Sequence, residues 1–237
     1  MRRLEPDVAY RTFNGRTFVC LNDQSAPDLD VAACEKRLCN QIIASMCAFN
    51  CGVDAFAGVG ISSSIWSGCT RRLLLAEQRP CALRLLRRNL RHIRQPHCDV
   101  EIQGCGARKV LADLAAANVR VDLLDLDPFG NCMDLLPLAA KVVDFGVVCL
   151  TTGEIYQVYR GLNRRGGKIT PKRYRGRKVI SWLHKELLPE VLGALPRAEL
   201  VHFYAYPTSV RMILRIGEYP IYSYWFSRRP KYLSWLA

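Results

Sequence analysis

The sequence predicts an α/β fold, with a doubly wound and mostly parallel sheet, a C-terminal antiparallel hairpin, and a small N-terminal hairpin-plus-helix extension. Three observations predict it. Short apolar runs alternate with helical patterns between residues 52 and 150, the signature of parallel strands covered on both faces. Two β runs at 200–206 and 210–216 have only Pro207-Thr208-Ser209 between them. A parallel crossover takes about a dozen residues or more, so this pair must be antiparallel. Near the start, Asn14-Gly15 joins two short β runs and signals a type I′ hairpin.

In order, residues 10–21 read as the first hairpin, and Ser25-Ala26-Pro27-Asp28 as a helix start. Residues 31–49 place Val31, Cys34, Leu38, Ile42, Ile43 and Met46 at helical spacing. Residues 52–57 are the first core strand and 61–67 open a helix. The second strand is 72–76, followed by a helix over 80–92 with Pro80 in its first turn. A third strand (99–103) and helix (108–118) follow, then a fourth strand (121–125), a helix (133–143) and a fifth strand (145–150). A helical stretch over 178–195, interrupted at Pro189, leads into the final hairpin. Residues 1–49 are thus an extension and 50–237 the core, carrying a basic loop at 160–178.

Composition narrows the class. At 237 residues, half of them hydrophobic, the chain suits one large folded domain rather than a disordered segment. The best apolar stretch, 135–150, is broken by Lys141 and Asp144, so no membrane span is expected. The start Met1-Arg2-Arg3 has no apolar run behind it, and no secretory signal is expected either. Eleven cysteines lie mostly within apolar runs and read as buried, reduced thiols of a cytoplasmic protein. Cys34, Cys39, Cys47 and Cys51 lack the two-residue gap typical of zinc sites, and no metal is expected. A net charge of +13 points to a polyanionic partner.

Three motifs follow strands. Asp54-Ala55-Phe56-Ala57-Gly58-Val59-Gly60 ends the first core strand, where glycines let the backbone turn tightly and approach a ligand. Glu77, followed by Gln78, ends the second strand, where a carboxylate can accept both hydroxyls of an adenosine ribose. Asp127-Pro128-Phe129-Gly130 ends the fourth, beside the first strand across the switch point where open α/β sheets bind ligands. The Asp127 carboxylate and Pro128 carbonyl can accept hydrogen bonds from an exocyclic amine, localising its lone pair and stabilising the positive charge that develops during attack on a methyl group. Phe129 offers a face for stacking a base.

A fourth feature is the 160–178 segment. It holds nine basic residues, Arg160, Arg164, Arg165, Lys168, Lys172, Arg173, Arg175, Arg177 and Lys178, with glycines and no acid. That composition suits phosphate-backbone binding. A smaller group, Arg84, Arg87, Arg88, Arg91 and Arg94, reads as the solvent face of its helix.

Glycine turn, strand-two acid and Asp-Pro-Phe-Gly together resemble the class I S-adenosylmethionine-dependent methyltransferase superfamily over about residues 50–216. Asp125-Leu126-Asp127-Pro128-Phe129-Gly130 resembles in particular the tRNA guanine-N2 dimethyltransferase family, and the run from Glu77 through Ala82 to Asn89 fits that family's spacing. The stretch is also similar to the wider amino-methyltransferase pattern Asp/Asn-Pro-Pro-aromatic, with Phe129 replacing the second proline. The resemblance implies a Rossmann-like, seven-stranded methyltransferase fold. It implies S-adenosylmethionine as cofactor, held by Asp54, Ala55, Phe56, Gly58, Gly60, Glu77 and Gln78, and catalysis at Asp127, Pro128, Phe129 and Gly130. It further implies a nucleic-acid substrate, RNA ahead of DNA, with a protein partner as one source of target recognition.

This sequence also departs from the family. Its glycine turn is closer to the generic RNA and DNA methyltransferase motif, Gln103-Gly104-Cys105-Gly106 lacks the adenine-contacting acid, and Leu150-Thr151-Thr152-Gly153-Glu154 replaces Thr-x-Thr-Asp. The expected C-terminal domain has no room in the chain. The chemistry therefore transfers better than the substrate. Guanine-N2 in RNA leads, with adenine-N6 of RNA or DNA as the alternative. Other readings are a catalytically silent methyltransferase-like binding module and a nicotinamide-dependent oxidoreductase. The missing third glycine and the terminal hairpin speak against the last.

Overall fold

A computed structural model describes residues 8–13, 15–21, 28–128, 130–153, 182–205 and 209–226. The element order is β1 (Val8–Phe13), β2 (Arg16–Leu21), α1 (Asp28–Met46), β3 (Phe49–Asp54), α2 (Ile61–Trp66), β4 (Thr70–Ala76), α3 (Pro80–Ile93), β5 (Asp99–Gln103), α4 (Ala107–Ala116) and β6 (Leu123–Leu126). Then come a 3₁₀ turn (Met133–Leu135), α5 (Leu136–Val142), β7 (Gly146–Thr152), a π-helical stretch (Leu183–Leu187), α6 (Leu188–Ala194), β8 (Ala198–Ala205) and β9 (Val210–Ile216). The main sheet runs β5-β4-β3-β6-β7-β9-β8, and β1-β2 form a separate hairpin. This is the expected α/β class, mostly parallel with an antiparallel hairpin at its C-terminal end. By internal packing the chain forms two compact units, Met1–Asp125 and Leu126–Ala237.

In the first unit, β3 pairs in parallel with both β4 and β6, and β4 with β5. Leu73, Leu74 and Leu75 are all buried, as a parallel strand covered on both faces requires. The hairpin pairs Phe13 with Arg16, leaving a two-residue connection in which Gly15 takes φ +72°, as a primed turn demands. Asn89, buried on α3, ties this hairpin down. Its Oδ1 accepts the Val19 N–H at 3.0 Å, and its Nδ2 donates to the carbonyls of Val19 at 2.9 Å and Val59 at 3.0 Å. One amide thus satisfies the edge of β2 and the glycine turn after β3.

In the second unit, β9 lies between β7 and β8 and is antiparallel to both. Every residue of β7 is buried.

Several boundaries shift from the sequence expectations by one to three residues, and three departures have a physical cause. The helix expected over 31–49 ends at Met46, and Phe49 opens β3 with only 2% exposure. Phe49 fits either period. The strand takes it because the Phe49 N–H donates to the Cys69 carbonyl at 2.7 Å at the start of the β3–β4 ladder, and the Asp122 carboxylate accepts the next two N–H groups, of Asn50 and Cys51, at 2.8 and 2.9 Å. The first core strand accordingly ends at Asp54, and 55–57 form the turn. The helix does not break at Pro189. A π turn over Leu183–Leu187 precedes the proline, which then sits in the first turn of α6. The extra residue in that turn removes the clash a proline makes with the carbonyl four residues earlier.

Candidate functional site

The site on the first unit is built at the C-terminal ends of β3 and β4. The Ala57 N–H donates to the Ala76 carbonyl at 2.9 Å and the Gly60 N–H to the Ala57 carbonyl at 2.8 Å, so the turn after β3 is closed onto the end of β4. Gly58 and Gly60 both adopt positive φ, +56° and +93°. Their surroundings differ. A Cβ on Gly60 would lie 2.9 Å from Leu86 Cδ1 and closer still to Ile93 Cδ1, so this glycine lets α3 pack against the turn. A Cβ on Gly58 would meet only the Phe56 carbonyl, at 3.9 Å, leaving its backbone open to a ligand. Ala55 is buried and Phe56 half-buried beside them.

The carboxylates are clamped. Asp54 is 1% exposed and accepts Ser63 Oγ at 2.7 Å. Its register partner across the β3–β6 pair is Asp125, which is wholly buried and accepts the Trp66 indole N–H at 2.8 Å. Ser63 and Trp66 are three residues apart on α2, so one helix face serves both acids. Glu77 is also buried. Its Oε1 accepts the Arg79 backbone N–H at 2.7 Å and the Arg79 Nε–H at 3.2 Å, and its Oε2 accepts from Arg79 Nη2 at 3.4 Å. Gln78 is exposed, with Oε1 2.7 Å from where a Cβ on Gly106 would stand, so it lies over the loop after β5. Asp54, Gly58, Gly60, Glu77 and Gln78 thus gather on one edge of the first unit.

Asp127, Pro128 and Gly130 belong to the second unit. Asp127 and Pro128 are half-buried and Gly130 is exposed with φ +124°. Their loop is tied to the end of β7, since the Gly153 N–H donates to the Gly130 carbonyl at 2.6 Å and Cys132 Sγ lies 3.3 Å from the Thr151 carbonyl. A Cβ at position 153 would stand 3.1 Å from that same Gly130 oxygen, a steric reason for glycine in Thr151-Thr152-Gly153. Asn131 Oδ1 accepts the Met133 N–H at 2.7 Å and closes the turn into the next helix. Phe129 and the whole 160–178 segment, with Arg160, Arg164, Arg165, Lys168, Lys172, Arg173, Arg175 and Arg177, lie outside the described residues.

Nothing in the local sequence pattern marks Ser63, Trp66 or Arg79 as part of the site. Asp125 carries a signal, an acid inside the apolar strand Leu-Leu-Asp-Leu, because a buried polar group needs partners. Among the described residues, ten cysteines are free thiols, and burial pushes Cys47 up to about 11 and Cys69 up to about 12. Thiols held protonated in this way are inert as nucleophiles and metal ligands. No group of three or more His, Cys, Asp or Glu side chains among the described residues is arranged to hold a metal ion. None of the described helices is long and apolar enough to cross a membrane.

No protein-family model and no curated protein matches the chain. Solved structures do. Trm1 from Pyrococcus horikoshii, in complex with S-adenosyl-L-methionine, superposes with a TM-score of 0.66 at 13% identity, over 89% of this chain and 62% of Trm1. The tRNA m1G37 methyltransferase of M. jannaschii gives 0.54 at 15% identity, over 91% of this chain and 58% of that one. TYW2 of M. jannaschii, in complex with AdoMet, gives 0.56 at 12% identity, over 90% and 89%. The chain therefore spans about three fifths of the first two proteins and most of the third. Likeness at this level of identity is a likeness of fold, and the chain has the seven-stranded fold of these methyltransferases.

Proposed function

We propose that the chain is an S-adenosylmethionine-dependent methyltransferase acting on an exocyclic amine of a nucleic-acid base, with guanine-N2 in RNA as the foremost target. The observation that carries this reading is the pairing of an open Gly58 backbone with a buried Glu77 carboxylate at the ends of adjacent parallel strands. These residues fit the cofactor. Gly58 would allow the close approach its amino-acid portion requires, and Glu77 would accept the ribose hydroxyls in place of the Arg79 guanidinium, whose side chain is 46% exposed. The cofactor supplies an electrophilic methyl group on a sulfonium.

The remaining chemistry belongs to the chain. Asp127 follows Asp125 by two residues, and Asp125 is in register with Asp54. The Asp127 carboxylate and Pro128 carbonyl would accept the two amine N–H groups, turning the nitrogen lone pair toward the methyl. The Asp127 carboxylate would stabilise the positive charge that develops on the nitrogen as it is methylated and would take up the proton the amine loses. Phe129 would stack the base, and Arg160, Arg164, Arg165, Lys168, Lys172, Arg173, Arg175 and Arg177 would neutralise backbone phosphates. The solved structures that share the fold include proteins bound to this cofactor and an enzyme acting on tRNA.

The test is incubation with labelled cofactor and separate pools of tRNA, rRNA and DNA, followed by identification of the modified nucleoside. N2-methylguanosine is expected. N6-methyladenosine would move the target while keeping the mechanism, and 1-methylguanosine would remove the exocyclic amine from it. Cofactor binding without transfer to any pool would leave a silent binding module.

A further inference from the structure

Helix α3 turns Ala82, Leu85, Leu86, Asn89 and Ile93 into the first unit and presents Arg84, Arg87, Arg88 and Arg91 to solvent, with exposed Arg94 just beyond its end. The helix contains no acid. From Arg84 to Arg94 the rise is about 15 Å, with successive guanidinium groups on one face. Solvent-facing helices ordinarily interleave acids at this spacing, and like charges three and four residues apart repel. Among the described residues, Arg72, Lys109 and Arg215 each have a carboxylate partner, Glu101, Asp113 and Glu199. Arg84, Arg87, Arg88 and Arg94 have none.

The hairpin adds to the stripe. Arg16 reaches from β2 to donate Nη1 to the His92 carbonyl at 2.6 Å, and Arg91 Nε donates to His92 Nε2 at 3.1 Å. Burial first, and then the Arg91 and Arg16 charges, hold His92 below its ordinary range. A cation on the last carbonyls of a helix is favourable, which accounts for Arg16 locally. Nothing local accounts for the four arginines without acids.

We infer that the exposed face of α3, extended by Arg16, docks the phosphate backbone of the nucleic acid, as a surface additional to residues 160–178. The inference rests on the proposed nucleic-acid substrate but not on methyl transfer. Guanidinium groups on a rigid helix suit phosphate oxygens, for which their fixed fork of donors is made. Each phosphate neutralised releases counterion, so the number of contacts is readable from salt dependence.

The experiment measures binding of unmodified bulk tRNA against salt for the wild-type chain, for Arg84→Gln/Arg88→Gln/Arg91→Gln, and for the corresponding triple lysine variant. All three positions are exposed, and an unchanged melting curve confirms that the variants fold. Loss of three phosphate contacts should lower the slope of log K against log salt by about 2 and weaken binding at least tenfold at about 0.1 M salt. The lysine variant should keep most of the slope. Affinity and slope unchanged within twofold in the glutamine variant would overturn the inference, as would a wild-type chain that binds no tRNA. A parallel arm uses vesicles of phosphatidylcholine and phosphatidylserine. Vesicle binding that needs these arginines while tRNA binding does not would assign the face to membrane and also overturn it. Arginine-dependent tRNA binding without any methyl transfer supports the surface while sinking the proposed reaction, so the two failures are distinguishable.

Discussion

Each unit buries ionisable side chains at register-paired strand positions, and the two handle them in opposite ways. In the first, Asp54 and Asp125 lie side by side on parallel strands, each held by a neutral donor from α2, Ser63 and Trp66. In the second, Arg211 is wholly buried on β9 opposite Thr151, whose hydroxyl accepts Arg211 Nη1 at 2.8 Å. Two acids in register repel, and a buried carboxylate can only accept, so both depend on nearby donors. A guanidinium carries five donors and tolerates losing one acceptor more readily. The lesson is positional. The costly arrangement stands directly before the glycine turn and two residues before Asp127, where a ligand-binding edge is expected, while the tolerant one lies within an antiparallel ladder.

The sharpest break of that comparison separates Asp125 from Asp127. If Asp125 is structural and Asp127 chemical, Asp127→Ala should lower methyl transfer about 10³-fold while cofactor affinity, by calorimetric titration, stays within a few-fold. Unchanged turnover removes Asp127 from the mechanism. Gly60→Ala comes next. Positive φ and the contacts with Leu86 and Ile93 should together cost about 3 kcal/mol in chemical denaturation. Gly58→Ala meets no such contact and should cost about 1 kcal/mol, with its larger effect on cofactor affinity.

The clamp itself gives the third test. Trp66→Phe deletes the indole N–H that donates to Asp125 Oδ2, an expected loss of about 2–3 kcal/mol. Thr151→Val deletes one of the acceptors around Arg211 and should cost about 1 kcal/mol. Equal losses in denaturant midpoint would show that the two units treat buried charge alike, and the positional argument would fail.

Much of this was legible in the sequence, and the part that was not has a physical reason. Parallel strands and the loops after them declare themselves locally, through apolar runs, glycines and the acids at 54, 77 and 127. The final hairpin follows from a three-residue connection alone. The clamp joins residues up to 59 positions apart, and nothing in the local pattern links Trp66 to Asp125. Phe49 satisfies a helical and a strand period equally, and partners distant in sequence, the Cys69 carbonyl and the Asp122 carboxylate beside it, decide it. Arg79 reads as one more surface cation until its three contacts with Glu77 are seen. The arginines of 84–94 are legible as a solvent face from their spacing, but the lack of acidic partners at Arg84, Arg87, Arg88 and Arg94 among the described residues is a three-dimensional fact.

The smallest expected effect concerns the thiols, and it too divides the units. Burial raises Cys20, Cys47, Cys51, Cys69 and Cys98, all in the first unit. Cys69 is the extreme, pushed up to about 12 by desolvation first and then by its neighbours Cys47, Cys98 and Asp122. A thiol whose folded value lies above its unfolded value of about 8.5 binds its proton more tightly when folded. Its contribution to stability is therefore complete below about pH 8.5 and lost as pH rises toward 12. Denaturant midpoints should fall between pH 8.5 and 10.5, with Cys69→Ser flattening the curve, since a hydroxyl can keep the bond to the Trp66 carbonyl without titrating. Alkylation at pH 8 should reach exposed Cys81 well before Cys69. A Cys69 that reacts as fast as Cys81 would mean that the N-terminal end of β4 opens to solvent, and Trp66, whose carbonyl Cys69 contacts, would then not hold Asp125 rigidly.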